Sequence, residues 1–449
     1  MSMYMQFKGK NVLVLGLAKS GYYAAKLLLE LGANLTVNDT ADLAGNAEAR
    51  ELETLGVIVI SGSHPDDLLD AGFDFIVKNP GIPYSNPVLD KASKLGLPIV
   101  TEIEIASSIM EASVIGITGT NGKTTTTSII YEMLSLERES GSAYAIGNIG
   151  VPASKVALSI KEQDDAVIEL SSFQLMGAPS IHPEIAVITN LYSAHLDYHG
   201  SQEAYEEAKM NLILNQTPSD YVIYNADQPH LVKWVEHKGK AQRLPFSRER
   251  FLEKGICAVD GKIYFNQEEV ADVSDIFLKG LHNLENFLAA IGVAKVKGVS
   301  NAVIQQVLQQ FQGVRHRTQY VREFEGRIFY NDSKATNIEA TENALKGFDQ
   351  PIILLAGGLD RGNTFDALVP ALKNNIKAVV TFGETKEKMT DAANKAGITK
   401  VIKTTDVKTA VPDAYVLSEP GDVILLSPAA ASWDQYPNFE IRGDVFIEA

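Results

Sequence analysis

The sequence predicts an α/β protein of three domains: an N-terminal Rossmann-like domain, a central domain with a phosphate-binding loop, and a C-terminal Rossmann-like α/β domain. Short apolar strands alternate with helical patterns along most of the chain, and this order produces parallel sheets. A length of 449 residues corresponds to about three domains. We place the domains at residues 1–105, 106–313 and 314–449.

Composition limits the kinds of partner. The chain is 45% hydrophobic and 21% charged, with a net charge of −16, so we expect neither nucleic-acid nor membrane binding, since both surfaces are polyanionic. No apolar run approaches the ~18 residues of a membrane helix, and residues 1–10 lack a signal-peptide core. The single Cys257 excludes an intrachain disulfide and favours a reducing compartment. We therefore predict a cytoplasmic protein and expect a monomer.

The N-terminal domain opens with a strand-turn-helix-strand pattern. Strand 11–15 leads into a turn bounded by Gly16 and Gly21, a helix reaches about residue 31, and strand 34–38 ends at Asp39. An acidic residue at this spacing suits a ribose hydroxyl. Ala18 replaces the middle glycine, which disfavours a dinucleotide but allows a nucleotide diphosphate at the helix N-terminus. A tight turn without a ligand is the alternative.

Two further strands are predicted at 57–60 and 73–77. The second leads into the turn Asn79-Pro80-Gly81, in which proline and glycine fix the backbone at a strand end. Ligands bind at the carboxyl ends of strands in such sheets. This turn is therefore a candidate binding loop.

The central domain begins with a strand near Val114 and a glycine-rich loop that opens a helix reaching about residue 134. The loop comprises Gly119, Thr120, Asn121, Gly122, Lys123, Thr124 and Thr125. This is a short variant of the usual phosphate loop: its glycines let the backbone approach an anion, Lys123 reaches the terminal phosphates, and the Thr124 hydroxyl can ligate Mg²⁺. The alternative is a helix capped by Thr120 or Asn121, with a solvated lysine.

Further along, Glu169 ends the strand 166–169 and could either collect Mg²⁺ or cap a helix. After the strand 185–189 come His195 and a helix over residues 202–214 that carries Lys209. A lone histidine is usually structural, and Glu206 offers Lys209 a surface partner. From the residues alone, neither His195 nor Lys209 would be assigned to catalysis.

Residues 220–279 read as strands and hairpins, including one that turns at Asp260-Gly261 beside Cys257, which we interpret as structural. His282 and Asn283 then open an alanine-rich helix. Either side chain could reach a ligand, but we expect them to cap the helix.

The third domain begins near Gly313. Arg315 and Arg317 precede a hairpin that turns at Gly326, and the polar run 331–337 follows it. Strands 352–356, 378–382, 401–402 and 423–426 alternate with helices and predict a parallel sheet. The loop 357–363, with a glycine pair and Arg361, reads as an anion-facing loop, with a plain turn as the alternative.

Taken together, these blocks resemble the Mur ligases of peptidoglycan synthesis over essentially the full length. The resemblance rests on T-G-T-N-G-K-T-T at 118–125, G-N-I-G at 147–150, E-L-S-S-F-Q at 169–174, A-H-L-D at 194–197, H-N at 282–283, H-R at 316–317 and N-D-S-K-A-T-N at 331–337. The first domain resembles those of the members that add L-alanine or D-glutamate, and the run 332–337 and the segment 427–439 resemble the members that add D-glutamate. Asn79 and Arg361 depart from the family pattern, where serine and lysine occur.

The resemblance implies an ATP-dependent ligase. The carboxylate of UDP-N-acetylmuramoyl-L-alanine attacks the γ-phosphate of ATP, and the amine of D-glutamate then displaces phosphate from the acyl phosphate. The implied cofactors are ATP, a pair of Mg²⁺ ions and a carbamate on Lys209, because a carbamate supplies the hard oxygens that Mg²⁺ prefers. Domain closure would exclude water from the intermediate.

Site residues also follow from the resemblance. The implied catalytic residues are Lys123, His195, Lys209, Asp332 and Lys334. The seven loop residues would bind ATP together with Asn283, Asn286, Arg317 and Asp332. The UDP-substrate would contact Leu17, Ala18, Lys19, Asp39, Thr40, Asn79, Gly81, Asn148 and His195. D-glutamate would contact Thr336, Arg361, Ser432 and Phe439. One Mg²⁺ would lie between Thr124 and Glu169, and the other between His195 and carbamylated Lys209.

Three alternatives remain open at this point. In a nicotinamide-dependent dehydrogenase, residues 16–39 would bind the dinucleotide, although Ala18 and a downstream phosphate loop count against this reading. An ATP-driven switch protein would hydrolyse ATP without small substrates. Another Mur-type ligase, or one resembling folylpolyglutamate synthase, would share the chemistry, but the latter family lacks the first domain seen here.

Overall fold

The structure is a computed structural model that describes residues 6–136, 138–278, 280–362 and 364–449. Residues 1–5 of the N-terminal segment and Asn363 of the 357–363 loop lie outside this described part. The chain divides into two compact units, one ending at Phe311 and the other beginning at Gln312. The first unit contains two β-sheets and the second contains one. Within the described ranges, no helix has the length and apolarity to cross a membrane.

The first sheet has five parallel strands in the order β3-β2-β1-β4-β5. The strands are β1 Asn11–Leu15, β2 Asn34–Asp39, β3 Ile58–Ser61, β4 Phe75–Lys78 and β5 Ile99–Val100. The helices are α1 Lys19–Glu30, α2 Ala47–Thr54, α3 Pro87–Lys94 and α4 Glu102–Ile109. Alternate residues of β1 enter different cores: Val12 and Val14 pack on one face, Leu13 and Leu15 on the other. Burial on both faces explains the continuous apolar run that predicted β1.

The second sheet has nine strands in the order β14-β13-β12-β11-β10-β9-β6-β8-β7. The strands are β6 Ser113–Thr118, β7 Ala143–Gly147, β8 Asp165–Glu169, β9 Ile185–Ile188, β10 Tyr221–Asn225, β11 Gln242–Ser247, β12 Ile256–Val259, β13 Lys262–Phe265 and β14 Glu268–Asp272. Strands β6 to β12 pair in parallel, and β12, β13 and β14 form an antiparallel meander. The predicted hairpin at Asp260-Gly261 joins β12 to β13.

Eight helices cover the second sheet in the described ranges: α5 Lys123–Ser135, α6 Ala153–Val156, α7 Ser172–Leu175, α8 Leu196–His199, α9 Gln202–Met210, α10 Pro229–Lys238, α11 Leu281–Val296 and α12 Asn301–Gln310. The prediction of strands and hairpins over 220–279 is wrong at α10. Pro229 occupies the first helical turn, and Leu231 and Val235, four residues apart, bury its apolar stripe. The predicted helix 202–214 ends at Met210 and continues as a 3₁₀ turn, Asn211–Ile213.

The second unit has one six-stranded sheet in the order β15-β16-β20-β17-β18-β19. The strands are β15 Gln319–Phe324, β16 Arg327–Asn331, β17 Ile352–Gly357, β18 Ile376–Phe382, β19 Val401–Lys403 and β20 Val423–Leu426. The helices are α13 Ile338–Leu345, α14 Val369–Leu372, α15 Lys386–Lys395, α16 Val407–Leu417 and α17 Phe439–Glu448. Only β15 runs antiparallel to its neighbour. Because β16, β20 and β17 are adjacent and parallel, the loops after them meet at one edge.

Candidate active site

The phosphate loop adopts a backbone that only glycine fits at two positions. Gly119 and Gly122 have φ values of +146° and +80°, and a Cβ atom on them would collide with Thr189 Oγ1 and Asn286 Oδ1. Gly122 is the N-cap of α5 and provides no side-chain cap. The alternative of a helix capped by Thr120 or Asn121 is therefore wrong, and the start of α5 can receive an anion.

The loop is braced by the end of β9. The backbone N–H of Thr120 donates to Asn190 O at 2.9 Å, the N–H of Asn121 donates to Asn190 Oδ1 at 2.8 Å, and Thr189 Oγ1 donates to Asn121 O at 2.6 Å. Tyr205 Oη also donates to Thr120 Oγ1 at 3.0 Å. The loop is thus shaped before a ligand arrives. The sequence analysis missed Thr189 and Asn190, whose signal was two polar residues directly after an apolar strand.

Two lysines converge on one carbonyl of this loop. Lys123 Nζ donates to Gly119 O at 2.9 Å and to Thr120 O at 2.8 Å, and Lys209 Nζ donates to Gly119 O at 2.8 Å. Lys209 is 2% exposed. Burial, followed by the charge of Lys123, holds the pKa of Lys209 well below its ordinary value, while Glu169 opposes the shift.

The expected surface pair between Lys209 and Glu206 is wrong. The Glu206 carboxylate instead accepts hydrogen bonds from Gln202 Nε2 at 2.7 Å and Trp234 Nε1 at 2.7 Å. Lys209 lies 4.6 Å from the centre of the Tyr205 ring, on the buried face of α9. A buried lysine beside a phosphate loop is a candidate for chemistry rather than for surface charge.

Glu169 is the last residue of β8, and only one of its two carboxylate oxygens accepts a hydrogen bond within the described residues. Glu169 is 2% exposed, and Oε1 accepts from Asn148 Nδ2 at 2.9 Å. Oε2 is buried and has no hydrogen-bond partner among the residues that the structure describes. The helix-capping alternative for Glu169 is wrong, because Ser171 and Gln174 form the capping box of α7. An unpartnered carboxylate oxygen suits a divalent cation.

The donor set therefore fits Mg²⁺. Thr124, in the first turn of α5, is also buried and offers a hydroxyl oxygen. Across the described residues, no group of three or more His, Cys, Asp or Glu side chains could enclose a metal. Mg²⁺ accepts such a sparse protein shell, since substrate phosphates and waters complete its coordination.

His195 belongs to an aromatic cluster of five residues, Phe173, His195, Tyr198, His199 and Tyr205. The ring of Phe173 lies 5.1 Å from His195 and 4.5 Å from Tyr198, and His195 lies 6.1 Å from Tyr205. His195 has a φ of +53° and is exposed. Lys209 Nζ lies 4.6 Å from the centre of the Tyr205 ring, so two residues expected to serve one metal both lie near that ring. The side chain of Asp197, in the same motif, lies outside the described part.

The start of α11 lies against the phosphate loop. Asn283 and Asn286 are buried, and Thr126 Oγ1 donates to Asn286 Oδ1 at 3.3 Å. The expectation that His282 and Asn283 cap α11 is wrong, because its N-cap is Gly280, which has no side chain. Asn286 therefore flanks the loop that was predicted to hold nucleotide phosphates, while the adenine role of both asparagines stays a prediction.

In the first domain, the Asp39 carboxylate accepts a hydrogen bond from the backbone of the glycine turn. Its Oδ2 accepts from the Leu17 N–H at 2.7 Å, and its Oδ1 accepts from the Ala41 N–H at 2.9 Å. α1 begins after Ala18 with no side-chain cap, which leaves its N-terminus available to an anion. Lys19 Nζ reaches Gly150 O at 3.0 Å in the turn that carries Asn148. Asp39 is half-buried and Thr40 is exposed.

The second candidate loop of this domain is held by its own asparagine. Asn79 Oδ1 accepts from the Gly81 N–H at 3.1 Å, and Asn79 Nδ2 donates to Ser20 Oγ at 3.4 Å. Asparagine thus forms both bonds, one within the loop and one to α1. The residue before it, Lys78, is fully buried, and the sequence analysis gave it no role.

In the second unit, Asp332 directly follows β16 and is 4% exposed. Its Oδ1 accepts from the Thr318 N–H at 3.0 Å, and its Oδ2 accepts from Ser427 Oγ at 2.8 Å. Burial raises the pKa of Asp332 to about 6, against these hydrogen bonds and the charge of Arg317. Arg317 is exposed, and Lys334 Nζ lies 5.7 Å from the centre of the Phe439 ring.

Three of the predicted D-glutamate residues lie in loops at the same sheet edge, and the fourth, Phe439, begins α17. Ser432 is buried, and its hydroxyl lacks a partner within the described residues. The adjacent Trp433 ring lies 5.1 Å from the exposed Arg361 guanidinium. Phe439 O accepts from Ser333 Oγ at 2.7 Å, and Thr336 is half-buried.

Arg442, on α17, was missed by the sequence analysis. It is fully buried and donates to Ser333 Oγ at 3.0 Å, to Ser333 O at 2.8 Å and to Ala430 O at 3.0 Å. It therefore ties the 331–337 loop to the 427–433 loop. Its only sequence signal was an arginine in an otherwise ordinary C-terminal helix.

The phosphate loop lies in a nine-stranded sheet, with one α/β domain before it and another after it in the chain, an order that indicates a multidomain nucleotide-binding protein. Three family models match the chain in order: Mur ligase MurD-like, N-terminal domain at residues 10–101, Mur ligase middle domain at 117–294, and Mur ligase, glutamate ligase domain at 316–430. The chain belongs to the Mur ligase family, and the predicted three-domain α/β fold is confirmed.

Among its relatives are proteins named UDP-N-acetylmuramoylalanine–D-glutamate ligase. The one from Lactiplantibacillus plantarum is 55% identical, covering 99% of this chain and 96% of the relative. The one from Enterococcus hirae is 56% identical, covering 98% and 96%. The one from Geobacillus kaustophilus is 54% identical, covering 99% and 98%.

Solved structures share the fold at low identity. UDP-N-acetylmuramate–alanine ligase from Thermotoga maritima is 18% identical with a TM-score of 0.57, covering 98% of each chain. MurF ligase from the same organism is 18% identical with a TM-score of 0.55, covering 99% of this chain and 96% of that one.

Proposed function

We propose that this chain is an ATP-dependent ligase that joins D-glutamate to UDP-N-acetylmuramoyl-L-alanine during peptidoglycan precursor synthesis. The observation that carries the proposal is full-length identity of 52–56% to proteins named for this reaction. The geometry supports the same chemistry, because the chain presents a shaped phosphate loop, a buried unpartnered carboxylate and several lysines that can face phosphate.

The reaction transfers a phosphoryl group, and the proposed residues neutralise its negative charge. The substrate carboxylate attacks the γ-phosphorus of ATP, the bond to ADP breaks, and an acyl phosphate forms. Lys123 now donates to two carbonyls of its own loop, and a γ-phosphate offers it a charged acceptor instead. The amine of D-glutamate then attacks the acyl carbon, and phosphate leaves as the amide forms. Asp332, Lys334 and Arg317 act on ATP and the acyl phosphate.

Thr124 and Glu169 would hold one Mg²⁺, which shields the phosphates and polarises the transferring group. His195 and a carbamylated Lys209 would hold a second. The neutral Lys209 amine attacks CO₂, a nitrogen–carbon bond forms, and one proton leaves, so that the buried amine becomes an anionic carbamate with oxygen ligands. The lowered pKa of Lys209 supports this step, since only the neutral amine is nucleophilic.

Substrate binding is divided between the domains. The glycine turn of α1, with Leu17, Ala18 and Lys19, would receive the diphosphate of the UDP-substrate, and Asp39 and Thr40 would lie near uracil. Asn79, Gly81, Asn148 and His195 would contact the remainder of that substrate. In the second unit, Thr336, Arg361, Ser432 and Phe439 would bind D-glutamate. The buried hydroxyl of Ser432 supports this assignment because it has a bond left to make.

The proposal is tested by coupled phosphate release. Turnover should require ATP, Mg²⁺, UDP-N-acetylmuramoyl-L-alanine and D-glutamate together, and L-glutamate, L-alanine or diaminopimelate should not replace D-glutamate. ATP turnover without the small substrates would instead indicate a switch protein. We further propose that the protein acts as a cytoplasmic monomer, which sedimentation and fractionation would check.

A further inference from the structure

Lys78 is a fully buried lysine at the carboxyl end of β4. Its Nζ donates to Pro80 O at 2.9 Å, to Asn79 O at 3.2 Å and to Tyr198 Oη at 3.4 Å. The Tyr84 ring centre lies 5.0 Å from the same nitrogen. Within the described residues, no carboxylate lies within ion-pair distance of it. A lysine is rarely buried without a pairing carboxylate, and here carbonyl dipoles, a hydroxyl and a ring face replace one.

The Tyr198 hydroxyl binds the same loop from the other domain. Its oxygen lies 3.3 Å from Pro80 O and 3.2 Å from Ile82 O, so its single proton can serve either carbonyl while it accepts from Lys78. Tyr198 belongs to α8, in the central domain, and its ring packs on Phe173. Lys78 and Tyr198 together therefore hydrogen-bond three carbonyls of the 79–82 loop, those of Asn79, Pro80 and Ile82.

This loop lies directly on the glycine turn of the first domain. A Cβ atom on Gly16 would lie 3.0 Å from Asn79 Cβ and 3.0 Å from Ile82 Cδ1, so a displaced loop would change the space beside that turn. On the other side, the Phe173 ring that supports Tyr198 also packs against His195. Three segments proposed to bind the UDP-substrate thus depend on one hydrogen-bonded pair, the buried Lys78 and the half-buried Tyr198.

We propose that Lys78, acting with Tyr198, is a positioning residue for the UDP-substrate: it fixes the 79–82 loop between the glycine turn and the helix that follows His195. The inference rests on the proposed function and assigns no contact between Lys78 and the substrate. Because the ammonium is buried beneath the loop, its effect passes through the carbonyls of Asn79 and Pro80. Binding of ATP and D-glutamate does not depend on it.

The test compares Lys78→Met, Tyr198→Phe and the double variant by steady-state kinetics and by calorimetric binding of UDP-N-acetylmuramoyl-L-alanine without ATP. Methionine keeps an apolar stem of similar length but loses the donor. Lys78→Met should raise the KM and Kd for this substrate at least tenfold, and Tyr198→Phe at least threefold, while kcat and the KM for ATP change less than threefold. In the double variant, the fold-increase in KM and Kd should be smaller than the product of the two single fold-increases, because both groups hold the same loop.

Lys91→Met is the matched control, since this exposed lysine of the same domain also donates to a carbonyl, Asp66 O, at 2.8 Å. It should leave every constant unchanged. An unaltered substrate KM in folded Lys78→Met, or an equal rise in the KM for ATP, would overturn the inference. If Lys78→Met fails to fold by circular dichroism, Tyr198→Phe decides alone. Failure of the unmodified protein to use the UDP-substrate would instead refute the proposed function.

Discussion

Replacement of Lys209 by methionine should remove activity while leaving the protein folded. Methionine retains most of the buried apolar stem, and Gly119 O keeps its 2.9 Å hydrogen bond from Lys123, so the lost hydrogen bond should cost about 1 kcal/mol of unfolding free energy at most. Alanine would remove three buried methylenes at about 0.8 kcal/mol each, about 2 kcal/mol in all. Methionine therefore separates chemistry from stability.

The expected loss of turnover is at least 1000-fold, about 4 kcal/mol of barrier, because one metal loses its oxygen ligand beside the transferring phosphate. Phosphate release at saturating substrates measures this loss, and thermal unfolding checks the fold. Lys238→Met is the control, since Lys238 pairs with Glu207 at 3.0 Å on the surface of α10. Activity of Lys209→Met within tenfold of the unmodified protein would refute the metal-ligand role.

The carbamate has its own readout. An ordinary lysine, with a pKa near 10.4, presents about one neutral amine in a thousand at pH 7.4. Burial lowers the pKa of Lys209, so a larger share of its amine is neutral and open to carbamylation at pH 7.4. Carbon NMR in labelled bicarbonate and Mg²⁺ should show one carbamate signal that Lys209→Met lacks. A bare amine under these conditions would refute the carbamate, even if Lys209 proved essential.

Three other predictions follow from the same geometry. Lys123→Ala should abolish phosphate release without lowering the unfolding temperature by more than a few degrees; activity retained within about tenfold, about 1.4 kcal/mol of barrier, would contradict the phosphate-loop role. Arg361→Ala should raise the KM for D-glutamate at least tenfold with little change for ATP, because a bidentate carboxylate contact is lost; a rise for ATP alone would place Arg361 at phosphate instead. Activity should fall as the pH drops through about 6, where Asp332 gains a proton. Since its folded pKa lies above the unfolded value, the unmodified protein should also gain stability relative to Asp332→Asn as the pH falls from 7 towards 5, and a gain in the opposite direction would show that burial does not dominate this group.

Local sequence patterns predicted most strands because those strands are buried on both faces. The predicted strand 423–426 matches β20 residue for residue, and the predicted hairpin at Gly326 lies between β15 and β16. Such elements require only local apolar runs and turn residues. The helix α10 was not predicted because the hairpin signals that follow it in the chain led us to assign the whole region to strands. Its two buried residues, Leu231 and Val235, give a weak helical signal.

Capping was predicted less well, because it depends on which residue adopts the cap backbone. Asn283 follows a glycine N-cap, Gly280, and Glu169 lies before the Ser171 cap of α7 rather than at it. In both cases, a polar side chain near a helix start suggested a cap, and the actual cap residue leaves that side chain available for another role.

The sequence by itself determined the order of the three α/β domains, the phosphate loop and the family. Each of these depends on short motifs of contiguous residues, so the spacing of residues within each motif was sufficient to predict it. Only the tertiary structure decided that Lys209 is buried on Gly119 O, 90 residues away in the chain. It also decided that Lys78 lies beneath the 79–82 loop with no carboxylate partner in the described part of the chain. Burial and desolvation set the charge and reactivity of a lysine. They arise from contacts between segments that are remote in sequence, which no local pattern encodes.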